Sequence, residues 1–186
     1  MKHPAAPGLP AVIREAREFR GLDQRQLGRL LHMSDSRVSD IEHGLAPLPA
    51  DRAPALARKL DYPRLTVELA QAATGEAGPA WFDGPGVDEH CLCRNEDAIL
   101  EMAEAIAALE RRRRALVAPG APSESVLIET EDELADAIDT AVNALGRHCL
   151  RHSRSYAAVW DRRTAELEER GYVTRREARR HAKAAS

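Results

Sequence analysis

The sequence has few aromatic side chains and no runs of alternating β-branched residues. Phe, Trp and Tyr make up 4% of its 186 residues, and Val, Ile and Thr do not recur at the two-residue period of a half-buried strand. Strands therefore have little from which to form, whereas Ala, Leu, Arg and Glu, which favour helices, dominate the composition. We expect an all-α protein, and the length allows two small domains, each with a modest core.

Cysteine is scarce, and long apolar runs are absent from the sequence. The three cysteines, Cys91, Cys93 and Cys149, are too few and odd in number for a disulfide framework, which favours a reducing compartment. The opening stretch MKHPAAPGLP has no apolar core typical of a secretion signal, and no apolar run is long enough to span a membrane. We therefore expect a cytoplasmic protein without membrane association.

Positive and negative side chains are separated along the chain, although the formal net charge is only −3. Residues 1–64 carry 11 basic and 8 acidic side chains, and residues 147–186 carry 11 and 5. Residues 121–146 carry 7 acidic side chains and no basic one. Two basic ends thus flank an acidic middle, which allows a surface that faces nucleic acid to be separate from one that faces a partner.

Five short helices are predicted between residues 9 and 75. Asp23 can cap the second helix, with Gln26 in the capping-box position, and Ser34 can cap the third, which Gly44 would end in a left-handed conformation. The apolar positions at helical spacing are Val12, Ile13, Ala16 and Phe19, then Leu27, Leu30 and Leu31, then Val38 and Ile41, then Leu56, Ala57 and Leu60, and finally Leu65, Leu69 and Ala72. These helices predict a domain over residues 9–75.

The second half is predicted to contain a linker, helices and a basic tail. Residues 76–94 are rich in Gly and Pro, which favours a linker, and we expect Trp81 and Phe82 to dock on a neighbouring core. Residues 95–172 are predicted to be helical and to serve in dimerisation. Residues 173–186 form a basic tail, for which a second DNA contact and a merely solvated segment both remain open.

Two long amphipathic helices are predicted in this helical part, from about Asn95 to Leu116 and from about Thr130 to His152. The predicted buried stripes are Ile99, Met102, Ile106, Leu109 and Leu116 in the first and Leu134, Ile138, Ala141, Leu145 and His148 in the second. We expect the two helices to pair antiparallel, and a further helix to span roughly Ser153 to Arg170. The arginines from Arg111 to Arg114 are interpreted as favourable charges at a helix C-terminus, with phosphate binding as the alternative.

The segment LDQRQLGRLLHMSDSRVSDIEHG, residues 22–44, resembles the helix-turn-helix of the Cro and lambda-repressor (XRE) family. Gly28 is small enough to let the second helix approach the third, and Val38 and Ile41 fill the angle between them. The flanking helices extend the resemblance to about residues 9–64. It implies a five-helix lambda-repressor-like DNA-binding domain, followed here by a helical hairpin or bundle.

The resemblance also implies which residues contact double-stranded DNA. Gln24 would donate to a phosphate at the start of the second helix, with Arg25 and Arg29 adding attraction that is independent of sequence. Ser34 would cap the third helix and contact a phosphate. The positions from which the family reads bases hold Asp35, Ser36, Arg37 and Asp40. Arg37 suits guanine and an aspartate suits a cytosine amine, while the alternative is a merely solvated helix face.

Two features depart from the family pattern. Asp35, Asp40 and Glu42 outnumber Arg37 on the third helix and would face phosphates. Glu42 is common in the family and can instead be held by an internal partner, but the two aspartates predict modest affinity or help from basic residues elsewhere. His32 occupies a turn position that is usually Gly, where a positive φ would cost about 1 kcal/mol. We therefore expect a slightly altered turn at His32.

Histidines and cysteines in two groups raise a metal hypothesis. The groups are His90, Cys91 and Cys93, and His148, Cys149 and His152. The Cys-x-Cys spacing is not the usual zinc knuckle, and nothing in the sequence ensures that the two groups meet. We interpret them as buried thiols and surface histidines, and expect neither a metal nor another cofactor.

No nucleophile elbow, P-loop, HExxH motif or dinucleotide fingerprint is present, so we expect no enzymatic activity. The resemblance implies a sequence-specific transcriptional regulator, and the layout is similar to that of repressors from prophages or mobile elements. Because isolated reading heads bind weakly, a homodimer on a palindromic operator is expected. The alternative is a protein-interaction adaptor or antitoxin-like module that uses the same fold without specific DNA binding.

Overall fold

The computed structural model describes residues 8–87 and 90–173. These residues form eight α-helices and no strand, which confirms the all-α prediction. The chain divides into two compact units, of which the first ends at Arg154 and the second begins at Ser155. None of the helices in the described part is long and apolar enough to cross a membrane.

The first five helices pack around one core, as predicted. They are α1 (Leu9–Phe19), α2 (Gln24–Leu31), α3 (Asp35–Glu42), α4 (Ala53–Leu60) and α5 (Pro63–Thr74). The buried side chains of the core are Val12, Ile13, Ala16, Leu27, Leu31, Val38, Ile41, Leu56, Leu60, Tyr62 and Leu65. Phe19 is the exception among the predicted apolar positions of α1, because 54% of its surface is exposed.

Local capping fixes where α2 and α3 begin. The Asp23 carboxylate accepts from the backbone N–H of Gln26, whose side chain accepts from the Asp23 N–H, so the predicted capping box forms. The Ser34 hydroxyl accepts from the backbone N–H of Arg37 at 3.1 Å. Gly44 follows α3 with a φ of 71°, the predicted left-handed conformation.

The turn between α2 and α3 differs from our expectation at His32. This residue does adopt the left-handed conformation, with φ 55° and ψ 47°, and the turn is not altered to avoid it. Its backbone N–H still bonds to the Arg29 carbonyl, and the side chain is exposed, so the Cβ meets little beyond its own backbone. The strain of about 1 kcal/mol is therefore retained in the fold.

Two long helices, α6 (Cys91–Val117) and α7 (Glu124–Arg151), follow and form an antiparallel hairpin. An ion pair of 2.8 Å joins Arg111 near the end of α6 to Glu129 near the start of α7. Both helices begin earlier than predicted. No Gly or Pro follows Gly86 in the sequence before α6. Ser123 is the N-cap residue of α7 without a side-chain cap bond, and Glu124 in the first turn complements the helix dipole.

The hairpin buries different faces from those predicted. Helix α6 packs against its neighbour through the small residues Ala98, Ala105 and Ala108. The predicted stripe of Ile99, Met102, Ile106, Leu109 and Leu116 is exposed. In α7 the buried residues are Thr130, Thr140, Asn143, Gly146 and Cys149, while Ile138 and His148 of the predicted stripe are exposed and Leu134, Ala141 and Leu145 are half-buried. The small residues of α6 form the contact with α7 because they let the two helix axes approach closely.

The segment between α5 and α6 is anchored to α7 by Trp81 and Phe82. Asn143 accepts from the Phe82 N–H at 2.8 Å and donates to the Ala80 carbonyl at 2.8 Å. The Arg147 guanidinium lies over the Trp81 ring, 5.1 Å from its centroid, and donates to the Phe82 carbonyl.

Close packing against α7 extends this anchorage to the first five helices. A Cβ on Gly146 would lie 2.7 Å from Trp81 and 2.9 Å from Pro63 of α5, so this position needs glycine. Arg64 of α5 pairs with Asp83 of the segment. The first unit therefore holds the five-helix core and the hairpin in one fixed arrangement.

The second unit contains α8 (Tyr156–Glu169), close to its predicted bounds. The Ser155 hydroxyl accepts from the Ala158 N–H at 3.0 Å and caps the helix, and Glu166 pairs with both Arg163 and Arg170. The basic tail predicted for residues 173–186 lies outside the described residues from position 174 onward.

Candidate nucleic-acid interface

Helices α2 and α3 meet at Gly28. A Cβ at this position would lie 2.7 Å from the carbonyl oxygen of Met33 and 3.5 Å from the backbone nitrogen of Asp35. The Met33 N–H donates to the Gly28 carbonyl at 2.8 Å and closes the turn. Only glycine permits this approach, so the predicted reason for Gly28 is confirmed, with the turn backbone as the main contact.

Glu42 links the C-terminal end of α3 to α1 and α2. Its side chain is fully buried and accepts hydrogen bonds from Arg17 Nε at 2.6 Å and from Gln24 Nε2 at 2.9 Å. Arg14 donates to the Glu42 carbonyl at 3.0 Å. The hydrogen bond to Glu42 raises the pKa of the Arg17 guanidinium, with burial opposing it. This buried network sets the angle of α3 on the domain.

A comparison with protein families identifies the arrangement. The model of a helix-turn-helix domain family matches residues 9–73. Residues 9–73 form a helix-turn-helix domain. The resemblance predicted from residues 22–44 is thereby confirmed, and such a domain indicates a DNA-binding regulator. No curated protein and no solved structure matches the chain.

The helix-turn-helix places the four predicted base-reading residues on the outer side of α3. Asp35 and Ser36 are exposed, and Arg37 and Asp40 are half-buried. The Arg37 guanidinium donates to the Pro47 carbonyl at 3.2 Å, which positions it along the loop after α3. The Asp35 carboxylate accepts from the Ser36 N–H at 2.9 Å, so part of its charge is used at the helix N-terminus.

The predicted phosphate contacts lie along α2, from Gln24 to Arg29 in its last turn, and at the N-terminal end of α3. Arg25 and Arg29 are exposed on α2. Gln24 is half-buried, and one amide hydrogen is used by Glu42, which leaves the second for a phosphate. The Ser34 hydroxyl accepts within its cap, so it retains its own O–H to donate. The geometry is compatible with the predicted roles of these residues.

Glu42 is held by an internal partner, which is one of the two possibilities that the sequence left open. Its side chain points into the domain and pairs with Arg17 instead of facing phosphates together with Asp35 and Asp40. Sequence spacing could not show which residue the partner is, because Arg17 lies 25 residues away on α1. The acidic side chains on the outer side of α3 are therefore Asp35 and Asp40, beside one arginine.

His43 is a candidate contact that sequence reasoning missed. It is exposed and follows Ser36 and Asp40 at a spacing of four and then three residues, which places all three on one helix face. Its Nδ1 lies 2.7 Å from the Ser39 carbonyl oxygen, so Nδ1 carries the hydrogen and donates. In the neutral ring Nε2 is then an acceptor directed away from the helix. The helical spacing was the signal available in the sequence.

The His and Cys groups do not assemble a metal site among the described side chains. Cys93 is half-buried and Cys149 is buried, and the rings of His148 and His152 are tilted by 47° with their centroids 4.7 Å apart. The side chain of Cys91 lies outside the described part. In that part, the potential ligands that come within 4.8 Å of one another are three carboxylates, Glu101, Glu104 and Glu133.

Proposed function

We propose that the protein is a sequence-specific transcriptional regulator, a repressor of the kind found in prophages and mobile elements. It acts as a homodimer on a palindromic operator, and it works by binding and not by catalysis. The observation that carries this proposal is the helix-turn-helix of residues 9–73, whose outer face on α3 presents Asp35, Ser36, Arg37 and Asp40.

The shape of the domain supports insertion of α3 into the major groove. Gly28 allows the close helix contact, Ser34 caps the inserted end, and Glu42 is withdrawn from the DNA by Arg17. Arg37 can donate two hydrogen bonds to a guanine, and Asp40 can accept from a cytosine amine. The exposed guanidinium groups of Arg25 and Arg29 supply phosphate neutralisation.

The sparse positive charge of the reading face supports a dimer. With two acidic side chains beside one arginine, the outer face of α3 itself gains little from phosphate attraction, which leaves Arg25 and Arg29 as the phosphate contacts of one helix-turn-helix domain. Two heads joined by a two-fold axis double the contacts and fix the half-site spacing at about one helical turn of DNA.

Selection of bound sequences from random duplex DNA at two salt concentrations tests the proposal. We expect an enriched palindrome whose retention falls steeply with salt. The double variant Gln24→Ala with Arg37→Ala should lose the enrichment while keeping its helix content. The matched control, Gln71→Ala with Arg162→Ala, removes the same side-chain types elsewhere and should keep it. Full enrichment by the first variant would contradict this reading surface.

Repression is tested separately from binding. The selected palindrome, placed across a promoter that drives a reporter gene, should reduce expression when the protein is produced. Increased expression would contradict the repressor role while leaving DNA binding intact.

A second candidate is a protein-interaction adaptor or antitoxin-like module. The specific observation in its favour is that Asp35 and Asp40 face outward on α3, where they would repel phosphates. If no sequence is enriched even at the lower salt concentration, this function replaces the first.

A further inference from the structure

Helix α6 has two apolar faces, of which only one is covered. Ala98, Ala105 and Ala108 face α7, and Ala108 is 1% exposed. Large apolar side chains continue this surface on the adjoining side of the helix, where Ile99 is 68% exposed and Ile106 is 59% exposed. The large side chains of this outer face are Ile99, Met102, Ile106, Leu109 and Leu116, and we call it the α6 stripe.

The α6 stripe has the spacing of a helix-pairing seam. Its members follow one another at intervals of three and four residues from 99 to 109, and Leu116 continues the series after Arg113. At 1.5 Å per residue, the stripe is about 26 Å long. An exposed apolar surface of this continuity marks an interaction site in a water-exposed helix, because single exposed side chains are common but aligned ones are not.

Charge along α6 determines the direction in which a second helix can pair with it. The first half carries Glu96, Asp97, Glu101 and Glu104 beside Arg94, which pairs with Asp97, and the C-terminal part carries the arginines Arg111, Arg112, Arg113 and Arg114 beside Glu110. Arg111 pairs with Glu129 of α7, whereas the other three are exposed and form no ion pair with a described residue. Two parallel copies would place arginine against arginine, and two antiparallel copies would place arginine against glutamate.

A cluster of negative charges on the hairpin also favours antiparallel pairing. Carboxylate oxygens of Glu101, Glu104 and Glu133 lie within 4.8 Å of one another. Burial raises the pKa of the Glu101 carboxyl, and Glu104, Asp136 and Glu133 raise it further. Among the described residues no arginine forms an ion pair with this acidic cluster, so an arginine of a second copy would stabilise it.

We propose that the α6 stripe is the dimer interface of this protein, and that α6 pairs antiparallel with α6 of a second copy around a two-fold axis. The inference rests on the proposed homodimeric regulator and deepens it. In an antiparallel seam, alternating core positions of the two helices face each other, which places Ile99 opposite Leu116 and Ile106 opposite Leu109. The same register brings Arg112 to the level of Glu101 of the partner, and the two residues lie on the same flank of the seam.

This interface sets the distance between the two helix-turn-helix domains of the dimer. Trp81 and Gly146 hold the helix-turn-helix on α7 within the first unit, so pairing of the hairpins determines the separation of the two α3 helices. The half-site spacing of the operator is then a property of the α6 register.

Light scattering of the free protein tests the interface without DNA. We expect a mass about twice the 20.5 kDa of one chain. Ile106→Asp should reduce the mass to that of one chain, with unchanged helix content because Ile106 is exposed in the single chain. The matched control Leu45→Asp changes a side chain that is 78% exposed on the helix-turn-helix and should remain a dimer. A monomeric wild type, or dissociation by Leu45→Asp alone, would overturn the proposal.

Disulfide trapping tests the direction of pairing. Ile99→Cys and Leu116→Cys, mixed and oxidised, should form a bridge that joins position 99 of one chain to position 116 of the other. Mass spectrometry of the joined peptides identifies this bridge, so that the native cysteines do not interfere. Each variant alone should form no bridge between its own introduced cysteines, since antiparallel pairing places them at opposite ends of the seam. Bridges within each variant alone would show parallel pairing and contradict the proposal.

These results separate the two proposals. A monomer that enriches a DNA sequence would end the interface proposal and leave DNA binding intact. A dimer trapped through positions 99 and 116 that enriches no DNA would leave the interface intact and end the proposed regulator function.

Discussion

The guanidinium of Arg17 on α1 and the carboxylate of Glu42 on α3 form a buried ion pair, with Nε 2.6 Å from Oε1. Arg17→Met removes the charge that compensates Glu42, which has no access to water. We expect the free energy of unfolding to fall by about 3–5 kcal/mol, as for other buried pairs that lose one partner. Urea unfolding of the variant measures the difference.

The double variant Arg17→Met with Glu42→Met is the control for that prediction. Without either charge, no unpaired group is buried, so the double variant should be more stable than Arg17→Met alone. Equal stability of the two variants would show that the loss arises from packing and not from the uncompensated carboxylate.

The local features of the domain could be predicted from sequence, whereas this ion pair could not. The caps at Asp23 and Ser34 depend on residues three positions away, and the glycine at Gly28 belongs to a known spacing. Arg17 and Glu42 lie 25 residues apart, so only the packed fold brings them together. Because Glu42 is buried, the acidic side chains on the outer side of α3 are Asp35 and Asp40.

The hairpin shows a second limit of sequence reasoning. Periodicity identified a stripe of large apolar residues on α6 but did not show which neighbour covers it. The helix met α7 through Ala98, Ala105 and Ala108, because alanines permit closer approach than Ile or Leu. A helix that carries both a row of alanines and a row of large apolar side chains can therefore pack through either row, and periodicity alone does not show which of them faces α7.

At Gly146, alanine should be less stable than glycine, which is the reverse of the usual preference inside a helix. Ala in place of Gly inside a helix normally stabilises by about 1 kcal/mol. Here the new Cβ would lie 2.7 Å from the Trp81 ring, so Gly146→Ala should lower the free energy of unfolding by about 1–3 kcal/mol. Thermal and urea unfolding measure the loss.

A companion substitution distinguishes the cause of that loss. Trp81→Leu makes room for the Cβ, so Gly146→Ala should destabilise the Trp81→Leu background less than the wild type. The same loss in both backgrounds would refute a clash with Trp81.

His32 predicts a gain in stability. It holds a φ of 55° without a contact that requires its side chain, so His32→Gly should raise the free energy of unfolding by about 0.5–1 kcal/mol. Urea unfolding at neutral pH tests the sign. Gly28→Ala in the preceding helix is the contrasting variant, because its Cβ would strike the Met33 carbonyl, and it should be destabilised.

Glu68 gives the fold a pH dependence. Burial raises the pKa of its carboxyl above the ordinary value of 4.5, with Arg64 opposing and Asp83 adding to the rise. Because the folded pKa lies above the unfolded one, ionised Glu68 destabilises the fold above the folded pKa, and this penalty disappears as the pH falls below the unfolded pKa. Glu68→Gln should therefore be more stable than wild type near pH 7.

Urea unfolding of Glu68→Gln and wild type across a pH series checks that sign. The stability difference should shrink toward zero as the pH falls well below the ordinary pKa of 4.5, where Glu68 is protonated in both the folded and unfolded states. A difference that stays constant across the series would assign the effect to packing of the amide and not to the carboxylate charge.

The exposed guanidinium groups of Arg25 and Arg29 on α2 predict the salt dependence of DNA binding. If each neutralises one phosphate per reading head, Arg25→Ala or Arg29→Ala should reduce the slope of log K against log salt by about one per head. Affinity for all sequences should fall together, because phosphate contacts do not discriminate between bases. Fluorescence anisotropy with the selected operator at several salt concentrations measures the slope, with Arg162→Ala of α8 as the control. An unchanged slope in both variants would show that Arg25 and Arg29 do not contact phosphates and would leave neutralisation to other basic side chains.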